Sequence, residues 1–290
     1  MDEHGSRWRI KEFAGLVGVP EATLRAWERR YELLDPERTS GGFRLYSRDD
    51  ERRIHAMQAH MARGIAAAEA ASLALGEAEV RVEPPARPEP LVEALLLAAE
   101  AFDATRFDAL LDAAFAFGRL IAIRDVVLPT LVQIGERWER ADITVGHEHF
   151  ASHLIERRLL ALAKGWDSGR GPLGLLACPS GERHTLGLVC FGLLLADRGW
   201  RIAYLGADTP VEQITDVCAS IQPEVVILCA LNSLHLSHSA PAIAVLGSRH
   251  RTLLAGGGAT PQLAERVGAE LAGGDPVLTA AALAETIPTR

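Results

Sequence analysis

LGLLACPSGERHTLG, residues 173–187, decides the fold of the larger part of this chain. LGLLAC (173–178) is a short, almost wholly apolar run, the pattern of a strand buried on both faces of a parallel sheet. The polar loop CPSGERHTLG (178–187) follows, and then an apolar stretch long enough for a helix. In the loop, Gly181 and Gly187 let the backbone turn and approach a ligand closely. His184 would stand at the C-terminal edge of the sheet, where open α/β sheets bind ligands. Imidazole suits a transition metal, and Glu182 is spaced to orient its far nitrogen. Taken alone, a histidine near a helix start is more commonly a cap or a surface residue.

Further apolar runs, RIAYLG (201–206), EVVILCAL (224–231) and RTLLAGG (251–257), repeat the strand signal, with a shorter fifth unit over 268–287. Helical patterns of ten or more residues separate them. This alternation predicts a Rossmann-like, doubly wound parallel sheet over 169–290. Upstream, 91–168 has helical periodicity: Leu95, Leu96, Ala99, Phe102; Phe107, Leu110, Leu111, Ala114, Phe115; then Leu120 to Trp138 and Phe150 to Leu162. Short connections make this a four-helix bundle, with Pro129 placed to kink the third helix. Residues 76–90, GEAEVRVEPPARPEP, carry four prolines and predict an extended linker. They set off a head over 1–75. The fold class is therefore multidomain, α and α/β.

The head opens with RIKEFAGLVGV (9–19), a first helix and its turn, and continues with PEATLRAWERRY, a helix that starts on Pro20. Leu16, Val19, Leu24 and Trp27 would form the apolar seam, leaving Thr23, Arg25 and Arg29 outward. RTSGGFRLYS (38–47) reads as a hairpin turning at Gly41-Gly42, with Arg38, Arg44 and Tyr46 as donors for phosphates. Helix, turn, helix and hairpin compose a winged helix–turn–helix suited to the major groove of double-stranded DNA.

The 290 residues carry a formal charge of −8, distributed unevenly. The first 75 hold 12 Lys/Arg and 12 Asp/Glu, and the remainder 18 and 26. Only the head has a balance that tolerates a phosphate backbone. No apolar run reaches membrane-spanning length, and MDEHGSRWRI lacks a signal-peptide core, so a soluble, cytoplasmic protein is expected. Cys178, Cys190, Cys218 and Cys229 form no CxxC pair and read as buried thiols. His235 and His238 have an i, i+3 spacing able to hold metal, though loop positions are commoner. Neither a nucleophile turn nor a phosphate-binding GxxxxGK loop is present, which argues against an enzyme.

Thr23-Leu24-Arg25, Trp27-Glu28-Arg29-Arg30-Tyr31 and Gly42-Phe43-Arg44-Leu45-Tyr46 together resemble the MerR family, which implies DNA contacts from Thr23, Arg25, Arg44 and Tyr46. Glu182-x-His184-x-x-Gly187 resembles the (D/E)xHxxG signature of cobalamin-binding domains, in which the histidine is the lower axial ligand of cobalt. The Ser-x-Leu of those domains appears as Cys229-Ala230-Leu231, where cysteine lacks a good hydrogen-bonding hydroxyl. Their Gly-Gly appears as Gly256-Gly257. Trp138 with Glu148-His149 matches the Trp-x(9)-Glu-His signature of the CarH/LitR family, light-responsive MerR-type repressors that use adenosylcobalamin. In their best-known mechanism a histidine follows the tryptophan and becomes the second axial ligand after illumination. Here that residue is Glu139, which removes that ligand and leaves His147, His149 or water. The resemblance implies a repressor forming homo-oligomers, dimers or tetramers, in which Trp138 and Glu148 cover the cofactor. The alternatives are a regulator of the same fold that senses cobalamin itself, another tetrapyrrole, a partner or redox state through Cys229, and a cobalamin-dependent methyl carrier.

Overall fold

The computed structural model describes residues 7–39, 41–79, 82 and 84–286 and divides into two units, Met1–Glu83 and Pro84–Arg290. In the first, α1 (Ile10–Val17) and α2 (Glu21–Tyr31) meet at a turn closed by Gly18 and Pro20, and α2 ends on Glu32 in a left-handed conformation. A small hairpin, β1 (Glu37–Arg38) and β2 (Arg44–Leu45), follows, then α3 (Arg48–Ala62) and α4 (Ala67–Glu79). Ser47 and Asp50 form a capping box at the start of α3. The core is Phe13, Val17, Val19, Leu24, Leu33, Leu34, Tyr46, Ile54 and Met57. Leu16, expected in the seam, is exposed. The adjacent Val17 takes the inward position, because α1 presents Phe13 and Val17, one turn apart, to the core.

The expected linker is shorter than its composition indicates. Residues 76–79 continue α4, and α5 (Pro90–Glu100) begins on the last proline, which suits a first helical turn. Residues 80, 81 and 83 lie outside the described residues.

The second unit begins with a bundle: α5, α6 (Ala104–Phe115), α7 (Arg119–Ile121) running through a π-helical segment (Ala122–Val127) into α8 (Leu128–Glu139), and α9 (Val145–Leu162). The kink expected at Pro129 takes the form of that π segment. Proline lacks an N–H and its ring clashes with the carbonyl four residues back, so the turns before it widen. Thr130 Oγ1 donates to the Val126 carbonyl (2.7 Å) inside the widened stretch.

The α/β part contains β3 (Leu173–Pro179), α10 (Leu186–Ala196), β4 (Arg201–Thr209), α11 (Val211–Ile221), β5 (Val225–Cys229), α12 (Ser233–His238), α13 (Ala240–Gly247), β6 (Thr252–Ala255), α14 (Pro261–Val267), β7 (Glu270–Leu271) and α15 (Pro276–Thr286). The strands pair in parallel in the order β4-β3-β5-β6-β7. Leu175, Ala177, Val226, Leu228 and Leu254 pack on α11, α13 and α14, while α10 packs against α15. The third connection is two short helices broken at Ser239, rather than one long helix.

Bundle and sheet meet within this unit. The Trp166 ring stacks on Tyr204 (centroids 5.8 Å apart), and its carbonyl accepts from the Ile202 N–H (2.7 Å). Arg119 pairs with Asp197. Among the described residues no helix is long and apolar enough to cross a membrane.

Candidate functional site

The strand order reverses between β3 and β5, so the loops leaving those strands diverge and open a crevice at the C-terminal edge of the sheet. The β3–α10 loop turns at Gly181, whose N–H donates to Asp208 Oδ1 (2.7 Å). Asp208 N–H in turn donates to the Glu182 carbonyl (2.9 Å), which ties this loop to the end of β4.

Glu182 is 0 % exposed. Its Oε1 accepts from the backbone N–H groups of Arg183 and His184 (both 2.8 Å) and from His184 Nδ1 (2.6 Å). Its Oε2 accepts from the Leu231 N–H (2.8 Å), the Asn232 N–H (3.3 Å) and His235 Nδ1 (3.2 Å). Burial pushes the carboxyl's pKa up, but the His184, Asn232 and Leu231 hydrogen bonds outweigh it and hold it down at about 2. A Glu182 ionised at neutral pH assigns the His184 proton to Nδ1. The Nε2 lone pair then points away from the carboxylate, on a side chain 68 % exposed. A buried carboxylate fixing the tautomer and orientation of an exposed imidazole is the donor arrangement that a transition-metal ligand requires.

The other crevice wall is the β5 loop. Leu231 is exposed and Cys229 is buried. Gly256 has φ +85° and meets the Ala230 carbonyl so closely that a Cβ would lie 2.9 Å from its carbon and closer still to its oxygen. A Cβ on Gly258 would lie 2.6 Å from the Asn232 carbonyl carbon. Gly257 has only Leu231 O at 3.7 Å. The crowding therefore falls on Gly256 and Gly258, on either side of one expected position. Gly187 sits in the first turn of α10 with ordinary helical φ and open space around it, so the loop turn belongs to Gly181.

Burial raises the thiols of Cys178, Cys190 and Cys229 to about 12 and that of Cys218 to about 11. A thiol this rarely ionised is a poor redox sensor, which argues against signalling through Cys229. His235 and His238 line a cavity of about 480 Å³ with Ser180, Gly181 and Glu212. No group of three metal-donor side chains occurs there or elsewhere among the described residues.

In the bundle, Trp138 is 49 % exposed on the last turn of α8, and Glu139 beside it is exposed. Glu148, in the first turn of α9, accepts from Ser152 Oγ (2.7 Å) and lies 3.4 Å from His149 Nε2. His147 caps α9: its Nδ1 accepts from the Thr144 N–H (3.1 Å), and its ring stacks on Phe102. That cap puts the His147 proton on Nε2, which removes the lone pair a metal would need. Two turns further along α9, Glu156 Oε1 accepts from Thr185 Oγ1 (3.4 Å), the residue after His184. Glu156, Thr185, Asp208 and Gly258 carry no local sequence signal. They become visible only when the loops are brought together.

In the head, Arg25 and Arg29 are exposed on α2 and Thr23 is half-buried. Arg25 lies 3.5 Å from Glu21. Arg44 Nε donates to Glu28 Oε1 (2.9 Å). Tyr46 is not placed to donate to a phosphate. It is 0 % exposed, stacks on Phe13 (4.7 Å) and gives its hydroxyl to Glu28 Oε2 (3.2 Å). The alternation of the hairpin explains this: Tyr46 bridges Trp8 and turns its ring into the core. Phe43, part of the hairpin match but given no role there, is exposed at the hairpin tip with the Arg9 guanidinium 4.8 Å above its ring. Tyr46→Phe removes a hydrogen bond to a charged partner and is expected to destabilise the head by about 1.5–3 kcal/mol in thermal unfolding.

Fold and site together define a winged helix–turn–helix regulator with a cobalamin-type sensor unit. Residues 8–76 match the MerR HTH family regulatory protein, and residues 91–163 match the B12 binding domain. The HTH-type transcriptional repressor CarH of Myxococcus xanthus is 35% identical over 237 residues, 78% of this chain and 79% of that protein. The repressor CarA of the same organism is 38% identical over 230 residues, 76% of this chain and 75% of that protein. The Methanosarcina barkeri monomethylamine corrinoid protein aligns with a TM-score of 0.57 at 18% identity, covering 68% of this chain and 99% of that one, a likeness of fold alone. The chain belongs to the CarH-type family of MerR regulators with a cobalamin-binding domain.

Proposed function

We propose that this cobalamin-binding, DNA-binding regulator is a repressor that holds adenosylcobalamin and responds to light through its assembly state. The observation that carries the reading is the Glu182–His184 pair, a fixed imidazole with an outward Nε2 at the mouth of the crevice. His184 supplies the lower cobalt ligand and Glu182 holds it. Gly256 and Gly257 leave bare backbone along the slot for the nucleotide tail, with Cys229 and Leu231 beside them on the same wall. Trp138, Glu148 and His149 cover the upper face. Bound adenosylcobalamin supplies a light-labile cobalt–carbon bond. The Glu156–Thr185 contact gives α9 a direct hold on the loop bearing His184, so a change at either end biases the other. Thr23, Arg25, Arg29 and Arg44 contact operator DNA, and paired heads in a dimer or tetramer make affinity depend on assembly.

The test is an absorption spectrum of the protein reconstituted with adenosylcobalamin in the dark and after green light, with size-exclusion chromatography of both samples. Changes in both spectrum and assembly support the reading. Cobalamin retention with assembly unchanged by light favours a sensor of the vitamin itself, the reading that Glu139 motivates. His184→Ala is expected to alter the cobalt spectrum and weaken retention at least about tenfold. An unchanged spectrum in that variant removes His184 as the ligand.

A further inference from the structure

The DNA-facing part of the head contains a carboxylate where simple electrostatics disfavours one. Phosphate contacts are made by cations, and an acid beside them opposes binding. Glu28 nevertheless sits on α2 with its side chain 18 % exposed, between the recognition helix and the hairpin. Its Oε2 accepts from the hydroxyl of Tyr46, whose ring is fixed in the core by Phe13 and whose backbone is paired both ways with Trp8 (3.0 and 2.9 Å). Its Oε1 accepts from Arg44 Nε, leaving Arg44 two terminal amino groups. The hairpin is only two residues long on each strand, too short to hold its own orientation.

We propose that Glu28 is a positioning residue for DNA binding. It pins Arg44, and with it the wing, to the recognition helix, so that both are presented as one rigid surface to the phosphate backbone. This rests on the reading of Arg44 as a phosphate contact. It predicts the opposite sign from charge counting: removing this acid weakens binding.

The experiment measures binding of the full chain to a fluorescent mixed-sequence duplex of about 30 base pairs across a potassium chloride series. One phosphate contact contributes a slope of about 0.9 in log K against log salt, or roughly eightfold in affinity at about 0.1 M. Glu28→Ala is expected to lose that eightfold and to flatten the slope by about 0.9. Glu28→Gln keeps an acceptor for Arg44 and a polar partner for Tyr46, and is expected to bind like the wild type or tighter. Glu28→Ala binding as tightly as the wild type, with the slope unchanged, overturns the proposal. Should Glu28→Ala lower the melting temperature of the head, Arg44→Lys serves instead, since it keeps the charge and discards the Nε donor. Weakened binding in that variant supports the pin, and wild-type affinity overturns it. Arg44→Ala separates the two layers. If it has no effect, the phosphate contact fails and the pin with it; if it weakens binding while Glu28→Ala does not, the pin alone fails.

Discussion

Replacement of Glu182 by alanine is expected to destabilise the sheet part by about 3 kcal/mol or more and to lower cobalamin affinity by about ten- to a hundredfold. The carboxylate is fully buried and is the common acceptor for the N–H groups of Arg183, His184, Leu231 and Asn232 and for the imidazoles of His184 and His235. Alanine strands these donors at once, and each unsatisfied buried donor costs about 1–3 kcal/mol, partly relieved where water enters. The bond across the crevice matters most, because Leu231 N–H and His184 Nδ1 lie on loops of different strands and Glu182 joins them. Urea unfolding followed by tryptophan fluorescence measures the first effect, and titration with cobalamin the second. The pH dependence has a definite sign. The carboxyl is held at about 2, below its ordinary 4.5, so its contribution is complete above pH 4.5 and fades as pH falls from 4.5 toward 2. Glu182→Gln, with nothing to protonate, is expected to lose the part of the acid sensitivity confined to that window. An unfolding curve identical to wild type between those values would show that another group governs it.

The parts of this molecule that follow a period were legible from sequence. Strands β3, β5 and β6 read as short apolar runs because a parallel sheet covered on both faces leaves no position for alternation, while the edge strand β4 is apolar only in its first half. The bundle read through its helical spacing, and the head through the order helix, turn, helix, hairpin. Single-residue roles within a period were harder. Leu16 and Val17 are both apolar neighbours, and only the packing of α1 selects Val17 for the core. Tyr46 has the chemistry of a phosphate donor, but strand alternation and its bridge to Trp8 turn it inward. In the crevice, Glu182 and His184 were legible because they are two residues apart in one loop. The further partners of Glu182, at Leu231, Asn232 and His235, come from the β5 loop and the start of α12, at 49 to 53 positions' separation, and no local spacing announces them. The same holds for Thr185 and Glu156, which join sheet to bundle.

Gly256→Ala is expected to destabilise the sheet part by about 2–5 kcal/mol, while Gly257→Ala next to it stays within about 0.5 kcal/mol. Two independent penalties act at Gly256. Its φ of +85° lies where a Cβ crowds the backbone, worth about 1–2 kcal/mol. The Cβ would also lie 2.9 Å from the Ala230 carbonyl carbon and 3.1 Å from Cys229 Sγ. Neither neighbour can yield cheaply. Ala230 donates its N–H to the Ala255 carbonyl (3.0 Å) and accepts from Gly258 N–H (2.9 Å), so displacing it breaks the link between the β5 and β6 loops. Cys229 is the buried last residue of β5, held in the sheet by its neighbours on β6. Overpacking such a site adds about 1–3 kcal/mol. At Gly257 the nearest atom to a Cβ is 3.7 Å away and φ is not positive, so neither penalty applies. Displacement of Ala230 also moves Leu231, whose N–H is held by Glu182, so Gly256→Ala is expected to weaken cobalamin binding as well, by transmission through the crevice wall. Paired urea titrations of the two variants decide the matter. A Gly256→Ala protein as stable as Gly257→Ala would mean that the β5 loop relaxes freely, and the crevice would then have to be regarded as a soft site shaped by its ligand, where the close approach of Gly256 to Ala230 describes a preformed one.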